Sequence, residues 1–318
     1  MVRNKVPTAA KFGLAAAALA GAALFNRKKT RDAEAETPPI GKFVEIDGLR
    51  LHYVERGDGP ALVMLHGMGA LIQDFLGSGI VDQLAKRYRV IVFDRPGYGY
   101  SDRPRGTMWT PTAQAALVHA ALAKLSISRP VVLGHSWGTL PALALGLDYP
   151  DDVAGLVLLS GYYFPTARPD PLLLAGPATP VLGTIMANTV SPIIGRAGKG
   201  AVFKHIFYPN PVPEGFDGLF PSELGLRPSQ VQAAAGDAGQ MQLGAAKLAK
   251  RYGELSMPVS IAAGDGDKIV PFRQAERLHA AIPHSSLHRA EEVGHMIHWI
   301  RPDVVLEAVD EVAASSLA

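Results

Sequence analysis

The sequence contains no cysteine, and its positive and negative charges almost cancel. Without cysteine there can be no disulfide, no thiolate nucleophile and no cysteine-ligated metal site, although the redox compartment stays open. Lysine and arginine number 31 against 29 aspartate and glutamate, a net charge of +2. This balance gives no reason to expect nucleic acid or a polyanionic substrate. No pattern implies a cofactor, and the histidines lack the spacing of a metal site.

Apolar residues, by contrast, are plentiful. They form 48% of the 318 residues, against 19% charged residues, so the chain can bury a sizeable core in one large domain or two modest ones. The 33 glycines and 25 prolines indicate many turns without any periodic spacing.

The first forty residues differ in composition from the rest. Residues 12–25 form a 14-residue, alanine-rich apolar stretch between basic residues. It is shorter than the ~20 residues that span a bilayer, but it has the length of a signal-peptide core. Because a dense basic block follows, we expect a membrane-associated protein, with this stretch as an anchor or interfacial helix. Export after signal cleavage, or a cytoplasmic protein with a disordered tail, is the alternative. "DAEAETPP" is predicted to be a linker ending at residue 38.

From Ile40 onward, short apolar runs alternate with longer helical patterns. Runs such as "ALVML", "VIVF" and "LVLL" are apolar throughout, as in strands that a parallel sheet buries on both faces. "DGLRLHYVERGDGP" predicts an antiparallel opening pair. We therefore predict a mainly parallel, doubly wound α/β sheet of eight strands. The predicted strands are 43–46, 51–55, 61–65, 90–93, 131–133, 153–159, 259–263 and 286–289.

Almost a hundred residues separate the predicted strands 153–159 and 259–263. A structureless loop of that length is implausible in a compact domain. The segment is apolar and punctuated by proline and glycine, as in "PLLLAGPATPVLGTIMANTVSPIIG", which predicts an inserted, mostly helical cap. The predicted division of the chain is an N-terminal segment at 1–38, a core in two parts at 40–160 and 257–318, and the cap at 161–256.

The stretch "VVLGHSWGTLPALAL" places a serine between a predicted strand and a helix. Such a sharp turn pushes its central residue toward the crevice at the carboxyl edge of the sheet, and Gly134 and Gly138 give the turn room. Ser136 then lies at a helix N-terminus, which favours negative charge. We predict that Ser136 is a nucleophile; a plain turn with a capping serine is the alternative. His135 should lie to the side, and Ser101, which lacks the second glycine, is interpreted as part of a turn.

A serine nucleophile needs a base within hydrogen-bond reach and an acid that orients the base. "GDGDKIVP" follows the predicted strand 259–263 and supplies Asp267, with Asp265 as the alternative acid. "GHMIHW" follows the last predicted strand and supplies His295 as the base. His298, three residues further on, is the rival base, and we interpret it as a core or capping residue.

A tetrahedral intermediate also needs two donors for its oxyanion. The backbone N–H of Trp137, directly after the nucleophile, is the first predicted donor. The second is the N–H of Met68 in "HGMG", where Gly67 and Gly69 let the backbone approach the site. An ordinary glycine turn is the alternative for this loop.

Together, "HGMG", "DRPGYGYSDRP", "GHSWG", "GDGDKIVP" and "GHMIHWIRP" resemble the α/β-hydrolase fold superfamily of the capped type, from about Ile40 to the C-terminus. The resemblance is specific for the fold and poorly specific for the substrate. Epoxide hydrolases and haloalkane dehalogenases of this superfamily carry aspartate at the nucleophile position. Ser136 therefore implies an acyl-enzyme, with Asp267 and His295 completing a triad and no cofactor.

The predicted function is serine hydrolysis of a small carboxylic ester with an apolar acyl or alcohol part. Aromatic side chains of the cap either line an apolar pocket or form the core of the cap itself. A C–C bond hydrolase of a vinylogous diketone acid is the rival enzyme, and it would need a cation such as Arg168, Arg196 or Lys204. A non-catalytic binding protein on the same scaffold is the alternative from another class. The cap aromatic residues considered for the apolar pocket are Tyr162, Tyr163, Phe164, Phe203, Phe207 and Tyr208.

Overall fold

An eight-stranded, mainly parallel sheet organises the fold. The structure is a computed structural model, and it describes residues 8–166 and 175–316. The strand order is β1-β2-β4-β3-β5-β6-β7-β8; β2 runs antiparallel to β1 and β4, and all other neighbours are parallel. The predicted fold class is confirmed. The strands are β1 (Lys42–Ile46), β2 (Leu49–Arg56), β3 (Ala61–Leu65), β4 (Arg89–Phe93), β5 (Val131–His135), β6 (Gly155–Leu159), β7 (Val259–Gly264) and β8 (Ser286–Ala290).

Helices cover both faces of this sheet, because alternate side chains of each strand point to opposite faces. In β3, Val63 and Leu65 join one apolar cluster and Leu62 and Met64 join the other. Helices α4, α5 and α11 pack on the first face, and α2, α3 and α13 pack on the second. The helices are α1 (Thr8–Glu36), α2 (Ile72–Gly77), α3 (Ile80–Leu84), α4 (Pro111–Lys124), α5 (Thr139–Asp148), α6 (Leu182–Asn188), α7 (Val190–Phe207), α8 (Phe216–Leu219), α9 (Ser222–Gly225), α10 (Pro228–Leu248), α11 (Arg273–Ala281), α12 (Ile297–Ile300) and α13 (Pro302–Ser315).

The cap lies between β6 and β7 and contains helices α6 to α10. Its predicted limits, residues 161–256, fall between Leu159, where β6 ends, and Val259, where β7 begins. Most of the predicted cap aromatics pack inward: Tyr162 and Tyr163 belong to the main core, and Phe207 lies fully buried with Phe216. These rings therefore build the core of the molecule and of its cap.

The N-terminal segment forms one 29-residue helix, α1, that continues past the apolar stretch to Glu36. Residues 32–36 of the predicted linker are thus helical, and α1 packs on the cap. Asn26 is only 2% exposed, and its Nδ2 donates to the carbonyl oxygens of Asn188 and Thr189 at 2.9 and 2.7 Å. Near the end of the helix, Glu34 pairs with Arg227 at 2.8 Å.

Membrane association through residues 12–25 is a prediction that the structure corrects. Across residues 8–166 and 175–316, no helix combines the length and the apolar character needed to cross a membrane. The apolar stretch is short, and the rest of α1 is rich in charged residues and docks on the cap. The prediction of a membrane-associated protein is therefore wrong.

Candidate active site

The turn that carries Ser136 is held in an unusual backbone conformation. Strand β5 runs directly into a short 3₁₀ turn, and Ser136 has a φ of +52°, in the left-handed region that side chains other than glycine rarely adopt. A Cβ on Gly134 would lie 2.5 Å from the carbonyl oxygen of Gly138. A Cβ on Gly138 would lie 2.2 Å from the carbonyl oxygen of Leu65 in β3. Both glycines are thus required by close backbone contacts.

Three side chains from separate parts of the sequence form one hydrogen-bonded chain. His295 Nε2 lies 2.9 Å from Ser136 Oγ, and His295 Nδ1 lies 2.7 Å from Asp267 Oδ2. The other oxygen of Asp267 accepts the backbone N–H groups of Ile269 and Val270, at 2.7 and 2.9 Å. These bonds fix the carboxylate, which orients the imidazole with Nε2 toward the serine hydroxyl. The arrangement can withdraw a proton from Ser136.

The two candidate acids, Asp265 and Asp267, lie in opposite environments. Asp267 is buried beneath His295, whereas Asp265 pairs with the exposed Arg289 at 2.8 Å and accepts the N–H of Glu292 at 2.7 Å. The hydrogen bond from Arg289 lowers the pKa of Asp265 below its ordinary value. Asp267, and not Asp265, therefore contacts the imidazole.

The predicted oxyanion donors flank Ser136. A Cβ on Gly67 would lie 3.1 Å from Ser136 Cβ, so the loop after β3 passes directly beside the nucleophile. Within the described residues, the Met68 N–H donates to no acceptor. The N–H of Trp137 belongs to the 3₁₀ turn at the start of α5. Met68 follows Gly67 and Trp137 follows Ser136 in the chain, so both N–H groups remain the predicted oxyanion donors.

Comparison with known proteins places this geometry in a family. The family model described as the alpha/beta hydrolase fold matches residues 60–302. The chain belongs to the α/β-hydrolase fold family. It is similar to the uncharacterized hydrolase YugF of Bacillus subtilis, at 26% identity over 85% of this chain and 96% of that protein.

Two further comparisons bear on this hydrolase. It is 29% identical to 2-hydroxy-6-oxononadienedioate/2-hydroxy-6-oxononatrienedioate hydrolase 2 of Pseudomonas putida, over 80% of this chain and 88% of that protein. The crystal structure of the enol-lactonase from Burkholderia xenovorans LB400 has a TM-score of 0.72 at 20% identity, over 86% of this chain and 100% of that one. The chain is thus an enzyme of the hydrolase class.

A buried arginine that the motif analysis does not single out supports the predicted oxyanion loop of this α/β hydrolase. Arg95 donates through Nε to the carbonyl oxygen of His66 at 2.7 Å, and through Nη2 to that of Gly67 at 3.0 Å. Its Nη1 lies 2.8 Å from Asp237 of cap helix α10. The backbone oxygen of Asp237 accepts the indole N–H of Trp137 at 3.0 Å. One residue pair therefore joins the cap to both sides of the predicted oxyanion site.

Two further histidines lie behind His295 and not at the nucleophile. His135 Nε2 is 3.1 Å from the carbonyl oxygen of His295, and burial lowers the pKa of His135 well below its ordinary value. His298 lies 3.2 Å from Asp74, whose carboxylate also accepts the indole N–H of Trp299. Burial acts to raise the pKa of Asp74, but the neighbouring His298, His135 and Trp299 together outweigh it, and the pKa falls to about 2. His298 is therefore a core residue paired with Asp74.

These buried side chains are also the described group that could hold a metal ion, through Asp74, His135 and His298. The carboxylate of Asp74 already has the Trp299 indole and the His298 imidazole as neighbours. Among the described residues, however, Oδ2 of Asp74, Nδ1 of His135 and both ring nitrogens of His298 have no hydrogen-bond partner.

Ser101 lies in a second buried serine–histidine–aspartate cluster, whose hydrogen bonds hold the backbone and leave the serine without a base. Its Oγ donates to the carbonyl oxygen of Asp94 at 2.6 Å and accepts the backbone N–H of His52 at 2.9 Å. The imidazole of His52 is engaged by Asp94 at Nδ1 and by the Gly41 N–H at Nε2. Both ring nitrogens of His52 therefore have partners other than Ser101 Oγ, so His52 cannot act as a base for Ser101. This agrees with the interpretation of Ser101 as part of a turn.

Proposed function

We propose that this hydrolase cleaves a small carboxylic ester with an apolar acyl or alcohol part, through an acyl-enzyme on Ser136. The observation that carries the proposal is the continuous hydrogen-bond chain from Ser136 Oγ through His295 to Asp267. A hydroxyl coupled in this way to an oriented imidazole is the arrangement of acyl-transfer enzymes.

The proposed reaction uses each group at a defined atom. Ser136 Oγ attacks the ester carbonyl while its proton passes to His295 Nε2, and Asp267 stabilises the resulting imidazolium. The N–H groups of Met68 and Trp137 stabilise the tetrahedral oxyanion. Collapse breaks the C–O bond to the alcohol, which leaves with the proton from His295. Water, deprotonated by His295, then attacks the acyl-enzyme and releases the acid and the free serine.

The second candidate function is hydrolysis of a C–C bond in a diketone acid, and the Pseudomonas putida relative is the observation that favours it. Such a substrate carries a carboxylate that a cation should bind. Arg196 is engaged by Glu223 and by the Asn26 side chain, at 2.8 and 2.7 Å, and Lys204 is exposed. Arg168 lies outside the described residues. Because Arg196 is already bound by these two side chains, it is not free to bind the carboxylate of a diketone acid. This observation supports the ester as the substrate.

The test combines a substrate screen with a nucleophile variant. We expect p-nitrophenyl esters to be hydrolysed faster than a diketone acid or an aminoacyl amide. In Ser136→Ala, kcat should fall by about 10⁴–10⁶-fold because no other described hydroxyl reaches His295. A fluorophosphonate probe should label the wild-type protein at Ser136 alone.

The control for this variant is Ser160→Ala. Ser160 is buried at the end of the neighbouring strand β6, and its Oγ has no hydrogen-bond partner among the described residues. Its loss should leave activity unchanged. Residual activity of Ser136→Ala above a tenth of wild type would refute the nucleophile, and faster cleavage of the diketone acid would favour the C–C hydrolase.

A further inference from the structure

A short segment of the cap, residues 206–210, lies directly on the loop that carries His295. The carbonyl oxygen of Ile206 accepts the backbone N–H of His295 at 3.1 Å. Asn210 makes two bonds to the same loop: its Oδ1 accepts the N–H of Gly294, and its Nδ2 donates to the carbonyl oxygen of Glu292, both at 3.1 Å. One side-chain amide of the cap thus holds two backbone groups within three residues of the base.

The contact is too close for larger residues. A Cβ on Gly294 would lie 2.4 Å from the carbonyl oxygen of Tyr208. A Cβ on Gly266, next to Asp267, would lie 2.6 Å from Cδ of Pro209. The 206–210 segment therefore covers the loops of both the base and the acid.

On its other side, the His295 loop is held by the core. Asp265 accepts the N–H of Glu292, which has a φ of +54°, and the carbonyl oxygen of Val293 accepts the N–H of Gly266 at 3.0 Å. The loop between β8 and α12 is thus fixed from below by the acid turn and from above by the Ile206 carbonyl oxygen and the Asn210 side chain. Only the upper contacts belong to the cap, and Asn210 makes two of them.

We propose that Asn210 is a positioning residue for His295, an inference that rests on the proposed serine hydrolase. His295 must keep Nε2 at Ser136 while Nδ1 stays at Asp267, and a displacement of about 1 Å in such a constellation lowers the rate by about 100-fold. Since Asn210 lies on the cap and His295 on the core, the base is fully ordered only while the cap is seated.

The test compares Asn210→Ala, Asn210→Asp and the wild-type protein on one p-nitrophenyl ester. For Asn210→Ala we expect kcat to fall by about 10- to 100-fold, with KM within a factor of about two and little change in melting temperature, because Asn210 is only half-buried. Asn210→Asp keeps the acceptor for the Gly294 N–H and should recover part of kcat. Its added negative charge favours the protonated imidazole, so the acidic limb of the kcat/KM profile should move to higher pH.

Asn188→Ala is the matched control. Its side chain makes one bond inside the cap, from Nδ2 to the carbonyl oxygen of Thr184 at 2.8 Å, and it has no contact with the His295 loop. This variant should keep kcat. A kcat of Asn210→Ala within twofold of wild type, or an equal loss in Asn188→Ala, would overturn the positioning role. Ester hydrolysis that survives in Ser136→Ala would instead refute the proposed function.

Discussion

At the residue scale, the geometry of the proposed triad depends on close backbone contacts and hydrogen bonds that hold each side chain in place. Ser136 holds a left-handed φ, and its turn is possible because Gly134 and Gly138 carry no Cβ. This requirement is local, so the spacing G-x-S-x-G predicts the turn from sequence. The choice between Asp265 and Asp267 is different, because two residues of one turn face opposite directions and only the fold shows which of them meets His295.

Substitution of the two aspartates should separate their roles. Asp267→Asn removes the charge that stabilises the imidazolium and favours the wrong tautomer of His295, so kcat should fall by about 10⁴-fold, as in other triads. Asp265→Asn keeps an acceptor for the Glu292 N–H and loses an exposed pair with Arg289. Such pairs contribute about 0–1 kcal/mol, so the rate should change by less than about fivefold. The measurement is kcat/KM on one ester, and the reverse ranking would move the acid to Asp265.

At the element scale, the strands were predictable and the long-range partners were not. Buried parallel strands are apolar at every position, so the predicted strand 131–133 lies within β5 (Val131–His135). The local sequence predicts that helix α1 is a separate segment, because its partners Asn188 and Thr189 are more than 160 residues away. Asn210 has only a weak signal, an asparagine between two prolines in "YPNPVP".

Asn26→Leu tests whether α1 is part of the folded cap. The substitution leaves the carbonyl oxygens of Asn188 and Thr189 without their donor and removes the acceptor for Arg196. Unsatisfied buried groups cost about 1–3 kcal/mol each, so the free energy of unfolding should fall by at least about 1 kcal/mol. The measurement is urea unfolding, together with kcat, since α7 connects this contact to Asn210.

Lys28→Leu, on the exposed side of the same helix, is the control. Its pair with Asp32 is solvent-exposed, so the substitution should leave the free energy of unfolding nearly unchanged. Equal stability of the two variants would show that α1 does not support the cap in solution.

At the scale of the whole molecule, the site is assembled where the carboxyl ends of parallel strands meet. The loops after β3, β5, β7 and β8 bring Met68, Ser136, Asp267 and His295 to this edge, so the topology alone predicts that they converge. The cap contributes a second layer, through Asp237 to Arg95 and through Asn210 to the His295 loop. Those contacts depend on how the cap seats on the core, which no local pattern encodes.

The stability of the whole molecule should fall in mild acid because of His66, the first residue of the predicted oxyanion loop. His66 Nε2 accepts the N–H of Arg95 at 3.1 Å, so a second proton would remove this acceptor and place a charge beside a guanidinium.

Burial lowers the pKa of His66 from 6.5 to about 4. Between these values the unfolded chain binds the proton and the folded one does not, so stability is complete above pH 6.5 and is lost as the pH falls toward 4, by about 3 kcal/mol. His135 acts in the same direction. Urea unfolding from pH 7 to 4 should therefore show that the free energy of unfolding depends less steeply on pH in His66→Gln than in the wild type. Identical slopes for His66→Gln and the wild-type protein would show that His66 does not carry the acid sensitivity.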